Sequence, residues 1–235
     1  MVKGKILSIE TAVNVCSVCV ADESGILSLR EDMGVNNHSS KLSVFIEEVM
    51  NESCTAYDSL AAVAISGGPG SYTGLRIGVS SAKGICYAAD VPLIAVDTLQ
   101  AMAYVIQQNV KNKSGSVILQ PMIDARRMEV YTAIFDLKMN QLKTVSADIV
   151  DEHYFDHLQP NEIVVLGGNG AEKFRDLFAG NQQIVFVDTN VHTSTAVALV
   201  ARQKLETNDF ADVVYYEPFY LKDFIPGKPK VKGLE

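Results

Sequence analysis

Cysteine is scarce in this chain of 235 residues: Cys16, Cys19, Cys54 and Cys86 are its four, and they are scattered. So few thiols exclude a disulfide framework and make a reducing compartment the expected setting. Cys16 and Cys19 have the C-x-x-C spacing of redox and zinc motifs, but Cys16-Ser17-Val18-Cys19-Val20 reads as a strand. Positions three apart on a strand point to opposite faces, so both are expected to be structural. Long apolar runs are missing too. Residues 60–65 and 163–166 fall far short of the roughly 20 needed to cross a bilayer. Residues 1–5 lead into a strand-like run with no apolar leader segment, which predicts a cytoplasmic protein without membrane contact. Positive charge is also in deficit. A net charge of −8 excludes a broad nucleic-acid surface, which needs clustered Lys and Arg to displace counterions. Any service to RNA is then expected to run through another protein.

Nor do the four histidines build a catalytic set. His38 and His192 each lack an evident local partner, and no Ser/His/Asp or Cys/His constellation can be assembled. His153 and His157 stand at i and i+4, a spacing that shares one face of a helix. A metalloprotease helix would carry H-E-x-x-H, yet Tyr154 holds the glutamate's place and no third ligand is evident. Metal binding is not expected.

What the chain has in quantity is apolar residues, at 48%, enough for one substantial core or two small ones. Periodicity predicts strands over 5–10, 15–21 and 26–31, a helix over 40–51, a strand over 61–66, a helix over 73–89, a strand over 93–96 and a helix over 99–108. After the Lys111-Asn112-Lys113-Ser114-Gly115 break, strands over 117–123, 129–135 and 142–147 precede a helix over 151–158. A strand over 162–166, a helix over 171–178, a strand over 184–187 and a helix over 194–205 follow. The order βββαβαβα thus occurs twice. Ile9-Glu10-Thr11-Ala12 through Val20-Ala21-Asp22 aligns without gaps on Ile123-Asp124-Ala125-Arg126 through Ile134-Phe135-Asp136, each a strand, an acidic turn and a strand. An echo at the same place in two equal element orders argues for a duplicated α/β fold, with lobes expected over 1–112 and 113–235.

The most distinctive stretch is Ser66-Gly67-Gly68-Pro69-Gly70-Ser71-Tyr72-Thr73-Gly74-Leu75-Arg76-Ile77-Gly78, between a buried strand and a helix. Its glycines permit positive φ, and free N–H groups at a helix N-terminus can hold an anion. The same residues equally make a tight turn that lets the helix pack closely. Neither familiar phosphate loop is present. A Walker loop needs Gly-Lys-Ser/Thr but Leu75 follows Gly74, and the fingerprint G-x-G-x-x-G meets Thr73 in its third slot. Glu10, Thr11, Gly68, Gly70 and Ser71 form a weak candidate set for an anion or nucleotide. Gly167 and Gly168, after Val164-Val165-Leu166, join it: the segment resembles the adenosine-side loop of actin-like kinases, and also reads as a plain turn.

On the 73–89 helix Gly74, Gly78 and Ala82 recur every four residues, with Ser81 widening the row. Glycine costs about 1 kcal/mol in a helix interior, so a bare stripe implies a close neighbour, either the chain's own sheet or another subunit. The 40–51 helix carries Leu42, Phe45, Ile46, Val49 and Met50 on one face, an ordinary core stripe or a partner surface. Together with Ile77 these rows make up the candidate partner interface.

Residues 66–78 resemble the signature of the TsaB (YeaZ) family, in which a strand runs into G-P-G-S-[FY]-T-G-[LV]-R-I-G. Ile9-Glu10-Thr11-Ala12 with Cys16-Ser17-Val18, Ile123-Asp124-Ala125-Arg126 with Glu129-Val130-Tyr131, and Glu217-Pro218-Phe219-Tyr220-Leu221 are similar to family segments in the same order. The resemblance spans nearly the whole chain. It implies the two-lobed sugar kinase/Hsp70/actin (ASKHA) fold and a part in placing the threonylcarbamoyl group on the adenosine next to the tRNA anticodon (t6A). It also implies a non-catalytic subunit that supports a catalytic paralogue, TsaD, through first-lobe helices, and a homodimer when alone. An ATPase subunit, TsaE, would be reached through the complex; ATP or ADP would belong to the complex, and tRNA would be contacted only indirectly. In that family the transfer enzyme binds metal through an H-x-x-x-H helix in its first lobe, whereas here His38 stands alone in the first copy and His153 to His157 lies in the second. Glu10-Thr11-Ala12 also lacks the glycine that actin-like kinases place after their acidic residue, which implies no firm nucleotide binding. Two rival activities, a zinc glycopeptidase and an actin-fold small-molecule kinase, require respectively a metal centre and an intact phosphate hairpin.

Overall fold

A computed structural model describes residues 4–34, 38–110 and 116–222. β1 (Lys5–Glu10), β2 (Cys16–Asp22) and β3 (Gly25–Asp32) form a meander, followed by α1 (His38–Glu52), β4 (Leu60–Ser66), α2 (Tyr72–Ala89), β5 (Leu93–Val96) and α3 (Thr98–Asn109). The second half repeats the plan with β6 (Ser116–Asp124), β7 (Glu129–Asp136), β8 (Gln141–Ile149), β9 (Glu162–Gly167), α4 (Arg175–Phe178), β10 (Ile184–Phe186) and α5 (Ser194–Thr207). Each half makes one five-stranded sheet, and the orders β3-β2-β1-β4-β5 and β8-β7-β6-β9-β10 correspond strand for strand. Antiparallel meanders and parallel crossovers fall in the same places. This is the duplicated actin-like α/β architecture.

Strands β1 and β4 are buried on both faces; β4 accordingly reads as a near-continuous apolar run, whereas β1 buries Ser8 and Glu10 among Ile6, Leu7 and Ile9. Ile6, Ala62 and Ala64 point into the largest core cluster. Leu7, Ile9, Val63 and Ile65 point the other way, where α1 and α2 cover the sheet. Between the two sheets lie α3 and α5, packed on each other, and they are exchanged: α5 covers β1 and β2, whereas α3 covers β6 and β9. One core therefore runs from Ile6 through Leu99 and Met102 to Leu119 and Val165. Polar ties close the same seam, with Ser17 Oγ and Ser194 Oγ 2.7 Å apart and the Thr193 hydroxyl donating to Glu31. The sheets divide between β5 and β6, but the helices cross that division.

The second half is thinner on its outer face. The helix expected over 151–158 is instead a run of turns, with N–H groups of Tyr154, Asp156 and Leu158 donating three residues back to Asp151, His153 and Phe155. Asp151 accepts the His153 N–H, and the Tyr154 hydroxyl donates to Asp148 and accepts from Gln120. These local polar bonds displace the helical ladder. The helix expected over 171–178 splits into a 3-10 turn, Ala171–Phe174, and the single turn of α4. Phe155, Phe174 and Phe178 still cover that face of the sheet as a satellite cluster.

Candidate functional site

Most of the candidate partner residues turn inward. Leu42, Phe45, Ile46, Val49 and Met50 of α1 are buried in one cluster with Leu7, Ile9, Val18 and Val20 of the first sheet. On α2, a Cβ added at Gly74 would strike the Thr11 carbonyl, and one at Gly78 would meet Thr11 and the Ile65 Cδ1, the latter at 2.9 Å. Ala82 is fully buried. The glycine row lets α2 close on the chain's own β1–β2 turn. In the folded chain Leu42, Phe45, Ile46, Val49, Met50, Gly74, Gly78 and Ala82 pack on their own sheet and its β1–β2 turn, and of the expected contact set Ile77 and Ser81 stay half-exposed.

The open side of α2 is a different stripe. Arg76, Ser80, Gly84 and Ala88, spaced by four, are exposed, and Tyr87 beside them is 83% exposed. Between α2 and the 3-10 turn Tyr57–Ser59 lies a groove of about 510 Å³, lined by Ser80, Ser81, Gly84, Ile85, Ala88 and Tyr57. A Cβ at Gly84 would meet nothing within 4 Å. Asp58 is the only charged residue in that lining, so the groove offers shape and apolar surface without an acid–base pair.

Four N–H groups of the glycine-rich loop are engaged within the chain. The N–H groups of Gly67, Gly68, Ser71 and Gly74 donate to Val96 O, Thr98 Oγ1, Ala12 O and Ser71 Oγ, at 2.7, 3.1, 2.6 and 3.2 Å. The space over Gly67 and Gly68 is filled by the Tyr216 hydroxyl and the Phe219 carbonyl, and Gly70 lies against Ala12. Phe219 N–H donates to Gly67 O, and Tyr220 stacks on Tyr72 with ring centres 4.9 Å apart. Glu10 is buried beneath, accepting the Ala12 N–H at 2.5 Å, and burial pushes its pKa up to about 7. Sequence reasoning missed this covering by the C-terminal segment, whose only signal was its run of tyrosines and phenylalanine after the last helix.

The second candidate loop serves packing as well. Gly167 abuts Ile106 of α3, and Gly168, at φ +107°, lies against Met102 and the Met122 carbonyl. Beside it is a cleft of about 360 Å³ with Glu172 and Asp188 among its lining, both ion-paired to Arg175. His192, also there, accepts the Asn169 N–H at 3.1 Å, and burial lowers its pKa to about 4, so it is neutral at neutral pH. Glu10, Thr11, Gly68, Gly70 and Ser71 lie on or against the first sheet and Gly167 and Gly168 on the second, and the cleft beside Gly168 is lined from the first sheet too, by Val13, Asn14 and Val15 of the β1–β2 turn.

Among the described residues no group of three or more His, Cys, Asp or Glu is placed to hold a metal, and no helix is long and apolar enough to cross a membrane. His153 and His157 are exposed on the turn, and His153 Nδ1 pairs with Asp156 at 2.9 Å. Cys16 and Cys19 lie in separate core clusters, and burial pushes their thiols up to about 11 and about 12. Such thiols are inert at neutral pH.

Residues 32–156, just over half of the chain, match the family model described as TsaD: tRNA N6-adenosine threonylcarbamoyltransferase. The chain is 29% identical over 238 residues to the tRNA threonylcarbamoyladenosine biosynthesis protein TsaB of Escherichia coli (strain K12), covering 98% of this chain and 100% of that protein. It is 34% identical over 132 residues to the protein of the same description from Bacillus subtilis (strain 168), covering 53% and 55% of the two chains. Among solved structures, YeaZ from Pseudomonas aeruginosa aligns with a TM-score of 0.74 at 19% identity, over 93% of this chain and 100% of that one, a likeness of fold.

Proposed function

The chain belongs to the TsaD family and, within it, to the TsaB (YeaZ) group, and on that premise we propose that it is a non-catalytic subunit of the assembly that makes threonylcarbamoyladenosine in tRNA. One observation supports a scaffold role most directly: a bare exposed stripe on α2 flanks an apolar groove, while the glycine-rich loop is occupied by the chain's own residues. The partner is a TsaD-type paralogue. The residues that match the TsaD model include α1 and α2, so such a partner carries an equivalent helix pair and can meet this one in a pseudo-symmetric contact. A second copy of this chain would use the same face, so a homodimer competes with the complex. The ATPase subunit TsaE joins through the complex, ATP and ADP reside there, and the setting is the cytoplasm.

Depleting the chain in its own cells and digesting bulk tRNA to nucleosides tests the assignment. The threonylcarbamoyladenosine peak is expected to fall and to return on re-expression; an unchanged peak refutes it. The purified chain alone is expected to transfer no threonylcarbamoyl group.

A further inference from the structure

We propose that the turn joining β6 to β7 is a phosphate-contacting surface for RNA, built on Arg126 and Arg127. This rests on the reading above, which puts tRNA in the assembly. The other guanidinium groups are engaged: Arg30 pairs with Glu48 and Glu52, Arg175 with Glu172 and Asp188, Arg202 donates to the Gly4 carbonyl, and Arg76 lies over the Tyr72 ring. Arg126 and Arg127 are exposed, and neither side chain meets a carboxylate among the described residues. The nearby acids are already neutralised, Asp124 by Lys173 at 2.7 Å and Glu129 by Lys222. In a chain of net charge −8 the turn is therefore a local island of positive charge, which a whole-chain average hides.

The turn is also held stiffly. Arg126 and Arg127 both have left-handed backbones, at φ +74° and +50°, a conformation that persists in such residues only where the surroundings fix it. Lys173 Nζ donates to the Arg127 and Glu129 carbonyls, both at 2.8 Å, and Asp124 accepts the Arg126 N–H at 2.9 Å. Two guanidinium forks on a fixed mount suit phosphate oxygens, which accept paired donors. The duplication sharpens the point. In the first half the equivalent turn, around Thr11 and Ala12, is buried by the glycine row of α2. In the second half no long helix stands in that place, and the turn is open. From it Lys222 leads along the C-terminal segment to Tyr220, stacked on Tyr72, with Arg76 4.6 Å over the Tyr72 ring. Cations interleaved with aromatic faces suit a nucleic-acid strand better than an acidic peptide.

The test is anisotropy of a labelled tRNA transcript against the full-length chain, alone and with its TsaD-type partner, over a salt series. Arg126→Ala combined with Arg127→Ala is expected to weaken binding about tenfold or more and to reduce the slope of log K against log salt by about two. Arg175→Ala, whose side chain is already paired, is expected to leave both unchanged, and urea unfolding confirms that each variant is folded. The proposal is overturned if the double variant keeps wild-type affinity and slope, if neither chain nor complex binds tRNA, or if poly-glutamate competes as well as RNA. Unchanged tRNA affinity in the double variant, with the modified nucleoside still lost on depletion, refutes this surface alone. Lost affinity, with the nucleoside untouched by depletion, refutes the functional reading and keeps the surface.

Discussion

Replacing Gly84 and Gly74 by alanine, one at a time, is expected to move stability in opposite directions. Both lie in α2, and alanine in a helix interior is favoured over glycine by about 1 kcal/mol. At Gly84 a new Cβ meets nothing within 4 Å, so Gly84→Ala is expected to stabilise the chain by about 1 kcal/mol. At Gly74 the new Cβ strikes the Thr11 carbonyl and comes within 3.3 Å of Ser71. That carbonyl belongs to a buried turn and cannot yield without moving β1 and β2. Overpacking a core costs about 1–3 kcal/mol, and against the helix gain of about 1 kcal/mol this leaves a net loss of up to about 2 kcal/mol. Urea unfolding followed by circular dichroism reads both effects: the midpoint rises for Gly84→Ala and falls for Gly74→Ala at constant m. Thermal midpoints shift by about 2–4 °C per kcal/mol in a chain of this size. Equal stabilisation by the two substitutions would show that α2 does not close on the β1–β2 turn, and the assignment of its faces would fail.

Burial holds the Glu10 carboxyl at about 7 instead of 4.5. The folded chain then keeps a proton that the unfolded chain has released, so stability is lost as pH rises from about 4.5 through 7. Glu10→Gln is expected to gain on the wild type between about pH 5 and pH 8 in urea titrations; a pH-independent difference contradicts this. His192 acts in the opposite sense. With its pKa at about 4 instead of 6.5, its contribution is full above the unfolded value and lost as pH falls toward 4. His192→Gln is expected to flatten the acid limb of stability against pH, and an unaltered slope refutes the buried neutral imidazole. Elemental analysis is expected to find no stoichiometric transition metal, because His153 is engaged with Asp156 on an exposed turn. About one zinc per chain, lost when His153 and His157 become alanine, would overturn that.

The parts of the fold legible in the sequence are those where one physical term dominates. Strands over 5–10 and 93–96 coincide with β1 and β5, because short runs rich in Ile, Leu and Val fit a sheet covered on both faces. The 151–158 segment has helical spacing, yet Asp151, Tyr154 and Asp148 find local polar partners that the spacing does not encode. The exchange of α3 and α5 left no mark either. Leu99, Ala101, Met102, Ala103, Val105 and Ile106 bury most of the circumference of α3, so no single apolar stripe says which sheet it covers. The same ambiguity holds along α2: Gly74 and Gly78 on one side and Gly84 on another are alike in sequence, and only the position of Thr11 separates them. Arg126 and Arg127 were legible as half of an internal echo, not as a surface, because their effect depends on Lys173 and Lys222 having neutralised the acids beside them.

The central claim, that the chain acts through the open face of α2, is tested most directly by the affinity of Gly84→Arg for the TsaD-type paralogue. The arginine enters open space in the isolated chain, so the fold and thermal midpoint are expected to hold, whereas in a close helix contact it holds the partners apart. Gly78→Arg is expected to unfold the chain, since Thr11 and Ile65 occupy its space. For Gly84→Arg, calorimetry is expected to show a loss of more than about 2 kcal/mol, roughly 30-fold in Kd, the scale of an interface hot spot. A folded Gly84→Arg variant that binds the paralogue with wild-type affinity would contradict the account.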